Sequence, residues 1–167
     1  MYIDQKYMQP YFIAIENCQS TIQLDKYHPE GSVFNHSLQV LQWALRESID
    51  IDLILAAMLH DIGKVQNTLG HEQMAIKIIG DYISAKTRWL IEQHMRIWYL
   101  ILGDMKKLSK VQELLEHPLL PELIALARWD ELGRNPKYII RYDKNLIIKR
   151  LNICAEKHFF SKPPENV

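Results

Sequence analysis

A histidine and an aspartate, His60 and Asp61, directly follow an apolar run at residues 51–59. A helix built from this run would be buried, so its end places an imidazole and a carboxylate at the edge of a hydrophobic core. Both groups are costly to bury without a partner, and a bound metal ion would satisfy them. The sequence therefore predicts a metal site at this point of the chain.

A metal ion needs further ligands, and the rest of the chain offers them singly and at wide intervals. The candidates are His36, His71, His94 and Asp130. Four imidazoles and two carboxylates suit a six-coordinate or paired site for Mn, Fe, Co, Ni or Mg better than a structural zinc site, which usually recruits thiolates. The two cysteines, Cys18 and Cys154, lie outside this set and are expected to be buried thiols.

The elements that must position these residues are predicted to be helices. Apolar residues recur at helical rather than alternating spacing almost throughout the chain, which predicts an all-α fold. The expected N-caps are Ser32, Asp50, Ser84 and Ser109, and Pro121 is expected to open a further helix. Each candidate ligand then occupies an inward position, or the inner end, of a separate helix, as expected if several helices converge on one ion.

The predicted helices cover about residues 32–47, 50–61, 71–82, 84–94, 109–116 and 143–158, besides the one opened by Pro121. Trp98 and Tyr99 are expected to continue the fourth helix or to bend it. The last helix is predicted to turn inward Leu146, Ile147, Leu151 and Cys154. No helix is assigned before Ser32.

The composition and length of the chain limit what kind of protein it can be. The 20 basic and 20 acidic side chains cancel, so no global field would draw the protein onto nucleic acid or an anionic membrane. With 167 residues, the chain is expected to form one domain over residues 1–167. It has neither an apolar run long enough to span a membrane nor the residue order of a signal peptide, so we expect a cytoplasmic protein.

Six short motifs occur in a fixed order along the chain. They are Tyr27-His-Pro-Glu-Gly31, Phe34-Asn-His36, Leu59-His-Asp-Ile-Gly-Lys64, Gly70-His-Glu72, Gln93-His-Met-Arg96 and Trp129-Asp-Glu-Leu-Gly-Arg134. The combination resembles the HD superfamily of metal-dependent phosphohydrolases, which is named after its His-Asp doublet. Within that superfamily, the chain is most similar to the HD domain attached to bacterial tRNA nucleotidyltransferases. The resemblance covers a core of about residues 27–134.

The resemblance implies a single-domain helical bundle of the HD type with one or two divalent ions. Its first metal would take as ligands His36, His60, Asp61 and Asp130. In members with two metals, Asp61 would bridge, and His71 and His94 would hold the second ion. A water activated by the metals would then attack phosphorus.

Two basic residues follow the implied ligands by one helical turn. Lys64, one turn after His60, either reaches a substrate phosphate, the interpretation we favour, or is solvated beyond the helix end. Arg134, one turn after Asp130, either contacts phosphate or braces the carboxylate. Arg96 is expected to point away from the cleft unless its helix bends. Roles of capping, proton transfer or support stay open for His28, Glu30 and Glu72.

The resemblance implies a phosphohydrolase acting on nucleotide-like phosphomonoesters or phosphodiesters, with a small phosphoester as its partner. The activities of related domains are 2′,3′-cyclic phosphodiesterase, 2′-nucleotidase and phosphatase. Two alternatives are a di-iron oxygenase on the same ligand set and a catalytically silent metal-binding scaffold. No Gly-Ser turn precedes the carboxylates of Asp50 and Asp52, so we expect the hydrolase module without CCA addition, and a nucleic-acid partner stays open.

Overall fold

The computed structural model describes residues 2–161, and these form eight α-helices joined by turns. The helices are α1 (Gln5–Glu16), α2 (Val33–Glu47), α3 (Ile51–Leu59), α4 (His71–Ile79), α5 (Ala85–Ile101), α6 (Leu108–Leu115), α7 (Leu120–Leu132) and α8 (Lys144–Ser161). Short 3-10 turns at Ile62–Val65 and Gly80–Tyr82 follow α3 and α4. Within the described range, β pairing is limited to an isolated bridge between Ile22 and Ser32. The predicted all-α fold is confirmed.

The apolar run before the His-Asp pair forms the central helix, α3. Every residue from Leu53 to Leu59 is buried, because α3 packs against α1, α2, α5, α7 and α8. Full burial of a leucine or isoleucine side chain contributes about 1.5–3 kcal/mol, so this one helix anchors the bundle. Throughout residues 2–161, each helix falls short of the length and apolar character needed to cross a bilayer.

Three of the four predicted N-caps are confirmed. Ser32, Asp50 and Ser84 each accept a hydrogen bond, at 3.0–3.1 Å, from a backbone N–H in the turn that follows. The prediction for Ser109 is wrong, because α6 begins one residue earlier, at Leu108, and Ser109 lies inside its first turn. Such a polar residue caps a helix only from the position before it.

Helix α1 is absent from the sequence prediction. Asp4 caps it by accepting a hydrogen bond from the Tyr7 amide at 2.7 Å. Its buried face packs against α2, α3, α4 and α8 and consists of Met8, Tyr11, Phe12, Ala14 and Ile15. Pro10 lies inside the helix and removes one backbone donor, which weakens the helical signal of this segment.

The later helices differ from prediction in detail. Trp98 and Tyr99 continue α5, which ends at Ile101, whereas α4 ends at Ile79 and only a 3-10 turn reaches Tyr82. In α8 the predicted inward residues Ile147, Leu151 and Cys154 are buried. The prediction for Leu146 is wrong, since that side chain is 52% exposed.

The 3-10 turn after α3 brings α4 close to the His-Asp pair. A Cβ atom on Gly63 would lie 1.9 Å from the backbone oxygen of His71, so only glycine permits this approach. The contact fixes the start of α4, and with it the His71 imidazole, beside Asp61.

Candidate metal centre

Helices α2, α3, α4, α5 and α7 deliver six buried side chains to one point of the bundle. They are His36 on the first turn of α2, His60 and Asp61 directly after α3, His71 at the start of α4, His94 within α5 and Asp130 near the end of α7. Each is at most 5% exposed. The structure thus brings together all six residues that the sequence singled out.

The six side chains form two groups of three. In the first group, Asp130 Oδ1 lies 3.1 Å from His36 Nε2 and 4.0 Å from His60 Nε2. The second group consists of Asp61, His71 and His94. Within each group the ligand atoms all lie within 4.8 Å of one another, which is close enough for one ion to contact three of them.

Asp61 belongs to the second group and also faces the first. Its Oδ2 atom is 3.6 Å from the Nε2 atoms of both His36 and His60. Its Oδ1 atom is 3.1 Å from His71 Nε2 and 3.7 Å from His94 Nε2. Each carboxylate oxygen therefore faces a different group, as a carboxylate that bridges two ions must.

Hydrogen bonds at the far side of the rings fix the four imidazoles. Each Nδ1 atom lies 2.7–3.2 Å from a backbone carbonyl oxygen: Gly133 for His36, Ala57 for His60, Thr68 for His71 and Ile91 for His94. A carbonyl oxygen only accepts, so Nδ1 carries the proton of the neutral ring. In a neutral ring the Nε2 lone pair is thereby left for a cation, as in metal-binding histidines, and at His36, whose pKa is raised, a metal ion would take the place of the Nε2 proton.

These inward nitrogens lack adequate partners in the protein. Among residues 2–161, the Nε2 atoms of His36 and His60 have no hydrogen-bond partner, since the Asp130 contact of His36 has ion-pair distance without hydrogen-bond alignment. His71 Nε2 and His94 Nε2 face each other at 3.0 Å, and with both Nδ1 atoms facing carbonyl oxygens either a proton or a metal ion must lie between these two nitrogens. The donor set therefore fits a divalent metal ion.

Burial and neighbouring charge compete in setting the ionisation of the site. At His36 burial opposes the charge, but the adjacent carboxylates prevail and raise its pKa to about 9. At His60 burial prevails and lowers the pKa to about 3. Burial would raise the pKa of Asp61, but Lys64 and His60 hold it well below its usual range, and His36 does the same for Asp130. Both carboxylates are thus ionised and ready to bind a cation.

Lys64 contacts the site directly. Its ammonium donates to Asp61 Oδ2 at 2.6 Å and to Gln23 Oε1 at 2.8 Å, and it lies 3.3 Å from His28 Nε2. The side chain is only 10% exposed, so the solvated alternative is wrong. Gln23 belongs to no motif or periodic pattern, and the sequence offers no signal for it.

Glu30 supports one of the candidate ligands. Its Oε1 atom accepts a hydrogen bond from His28 Nδ1 at 2.9 Å and lies at ion-pair distance, 2.7 Å, from His36 Nδ1. Neither His28 nor Glu30 is a helix cap, because Ser32 caps α2. A buried carboxylate thus helps to orient the His36 ring, a role that the motif containing Glu30 left open.

Asp130 is held from two sides. Arg134 Nη2 donates to Oδ1 at 3.1 Å, and Trp98 Nε1 donates to Oδ2 at 3.0 Å. Of its two expected roles, Arg134 therefore fills the bracing one, and it also lines the cavity above the site. Arg96 points away as expected and donates to the Lys110 backbone on α6.

A cavity of about 700 Å³ opens onto the centre. Its inner end consists of Asp61, Lys64, His71, His94, Asp130 and Arg134. Trp98, Tyr99 and Glu72 also line it, whereas Trp129 is core and Trp89 stacks on His117 elsewhere. Four of the six candidate ligands and both expected phosphate-binding residues thus face one space that is large enough for a small ligand, whereas His36 and His60 lie behind them in the protein.

Comparison with known proteins identifies the family. The HD domain model matches residues 33–135, more than half of the chain. The chain is also 36% identical, over 75 residues, to the multifunctional CCA protein of Thioalkalivibrio sulfidiphilus (strain HL-EbGR7). That match covers 41% of this chain and 18% of the relative, so the chain spans less than a fifth of the relative's length. The predicted resemblance is confirmed, and the chain belongs to the HD domain family of metal-dependent phosphohydrolases.

Proposed function

We propose that the protein hydrolyses nucleotide-like phosphomonoesters or phosphodiesters, as a 2′,3′-cyclic phosphodiesterase, 2′-nucleotidase or phosphatase. The observation that carries the proposal is the set of inward Nε2 atoms arranged around the Asp61 carboxylate, with every Nδ1 atom already hydrogen-bonded. Membership of the HD family supplies the reaction class. We further propose that the protein is cytoplasmic.

In this proposal the six side chains hold one or two divalent ions, drawn from Mn, Fe, Ni, Co and Mg. The first ion would be held by His36, His60, Asp61 and Asp130, and the second would be held by His71 and His94 with Asp61 shared. Bound ions of this kind neutralise phosphate charge and acidify water. The protein contributes the fixed orientation of the rings, which backbone carbonyls and Glu30 maintain.

Lys64 and Arg134 orient the phosphate group in the cavity. Each is itself fixed by a carboxylate of the centre, Lys64 by Asp61 and Arg134 by Asp130. Both cations therefore lie where phosphate oxygens meet the centre, and their positions do not depend on the substrate. Such preorganised donors stabilise charge on a transferring phosphoryl group more effectively than mobile ones. Phosphate-binding cations beside the centre favour hydrolysis over an oxygenase reaction.

The test is hydrolysis of 2′,3′-cyclic nucleotides and nucleoside monophosphates after addition of Mn, Ni, Co or Mg. Asp61→Ala should abolish turnover and metal retention while circular dichroism still reports a helical fold, because the core does not depend on that carboxylate. Asp104→Ala, at an exposed position outside the cavity, is the matched control and should behave as wild type. Full activity in Asp61→Ala would refute the proposed site. Stoichiometric metal without turnover on the whole panel would refute the proposed reaction and favour an oxygenase or scaffold.

A further inference from the structure

A segment that precedes the HD match forms one wall of the cavity. Residues 21–31, the 21–31 segment, lie before α2 and outside residues 33–135. Its two ends are joined by backbone hydrogen bonds of 2.9 Å, from the Gln23 amide to the Gly31 oxygen and from the Val33 amide to the Thr21 oxygen. The segment is thus a closed loop with a defined shape.

Side chains from the same segment attach it to the centre. Gln23 and His28 contact the Lys64 ammonium, and the Glu30 carboxylate lies at ion-pair distance from the candidate ligand His36. Glu30 is 8% exposed, so this anchor is inside the protein. The inner face of the segment is therefore fixed with respect to the floor of the cavity.

The outer face of the segment is apolar and exposed at the cavity mouth. Ile22, Leu24 and Tyr27 line the cavity with 70%, 74% and 55% of their surface exposed. Across the mouth lie Leu69, Leu102 and Tyr99, which are 84%, 69% and 44% exposed. Single exposed apolar side chains are common, but a group around one opening marks a surface that binds something.

We infer that the 21–31 segment selects the substrate, by holding a bulky, flat or apolar organic group of the phosphoester against Tyr27, Leu24 and Ile22. This inference rests on the proposed function. The cavity joins a charged floor to an apolar mouth, so a ligand that fills both has a phosphate at one end and an apolar body at the other. Because Gln23, His28 and Glu30 fix the segment beforehand, little ordering entropy opposes the contact.

The experiment compares phenyl phosphate with 1-naphthyl phosphate, whose leaving groups have similar acidity but differ in apolar area. Burying about 50 Å² of additional apolar surface predicts a roughly tenfold higher kcat/KM for the naphthyl ester. Tyr27→Ala and Leu24→Ser should each lower that ratio about threefold. The change should appear in KM rather than kcat, because the organic group is held alike in the ground and transition states. Tyr2→Ala and Leu146→Ser remove similar exposed side chains outside the cavity and should keep the wild-type ratio.

Binding of phenyl phosphonate and 1-naphthyl phosphonate to the manganese-treated protein, measured by calorimetry, separates this inference from the proposed function. Preferential binding of the naphthyl compound that Tyr27→Ala weakens, without turnover of any ester, would support the segment's role and refute hydrolysis. Hydrolysis of both esters with equal efficiency, or a ratio that Tyr27→Ala and Leu24→Ser leave unchanged, would refute the segment's role alone. Neither binding nor turnover would refute both.

Discussion

Replacing Glu30 should reveal how far one buried carboxylate supports the centre. Its Oε1 atom accepts a hydrogen bond from His28 Nδ1 and makes an ion pair with His36 Nδ1, and the side chain has no exposed surface. Hydrogen bonds to an ionised group contribute about 1.5–3 kcal/mol each. Glu30→Ala removes the contacts with both histidines, but His36 Nδ1 still has the Gly133 oxygen as its partner at 3.2 Å. We therefore expect the metal-free protein to lose about 3 kcal/mol of unfolding free energy at pH 7.

Glu30→Gln separates the geometry of this residue from its charge. Both contacts go to the same oxygen, and Oε2 has no hydrogen-bond partner among residues 2–161. The amide oxygen of glutamine can therefore keep both contacts while its NH2 group occupies the Oε2 position. The remaining cost is one unpaired amide and a weaker acceptor, about 1 kcal/mol.

The assay is urea unfolding followed by tryptophan fluorescence, together with manganese titration of each variant. Metal affinity should fall about 10–100-fold in Glu30→Ala and less in Glu30→Gln, because only the alanine variant removes the Glu30 contact that helps Gly133 to orient the His36 ring. Glu156→Ala, an exposed position on α8, is the control. A Glu30→Ala protein as stable as this control would refute the reasoning. So would a glutamine variant as unstable as the alanine variant.

Four further predictions follow from the same contacts. Gly63→Ala should destabilise the protein by about 3 kcal/mol or more and weaken metal binding, because the Cβ atom of alanine would collide with the His71 backbone. Thermal unfolding and metal titration of the variant measure the two effects. His94→Ala should reduce the metal stoichiometry from two to one if two ions bind, with elemental analysis as the measurement. The raised pKa of His36 stabilises the metal-free protein fully below pH 6.5, and this contribution should disappear as pH rises through about 9. Urea unfolding across that pH range would show the loss, and His36→Gln should flatten the plot of unfolding free energy against pH. Ser32→Ala should cost about 1 kcal/mol through loss of the α2 cap, measurable by the same assay.

The residues of the centre were predictable because helical periodicity and chemistry agree. His36 and His94 fall on apolar stripes of amphipathic helices, and Asp130 falls on the inner face of α7, where a polar group needs a partner. The helix caps Ser32, Asp50 and Ser84 follow from local chemistry alone. The spacing of residues within each helix therefore suffices to place its ligand on the side that faces the core.

The supporting contacts of Gln23 and Trp98 were not predictable, because they join distant segments of the chain. Gln23 lies 41 positions before Lys64 in the sequence, inside a loop without periodicity. Trp98 donates to Asp130 from another helix, a contact that depends on how α5 and α7 pack. Helix α1 was missed because Pro10 interrupts its pattern, although tertiary packing of Tyr11 and Phe12 outweighs that cost.

The most direct test of the central claim is anomalous diffraction from crystals of the protein grown with manganese. The account predicts a manganese peak in contact with the Asp61 carboxylate and with Nε2 atoms of the surrounding histidines, and its loss in Asp61→Ala. A structure at saturating manganese with no peak at Asp61, or with the metal bound only elsewhere on the protein, would contradict it.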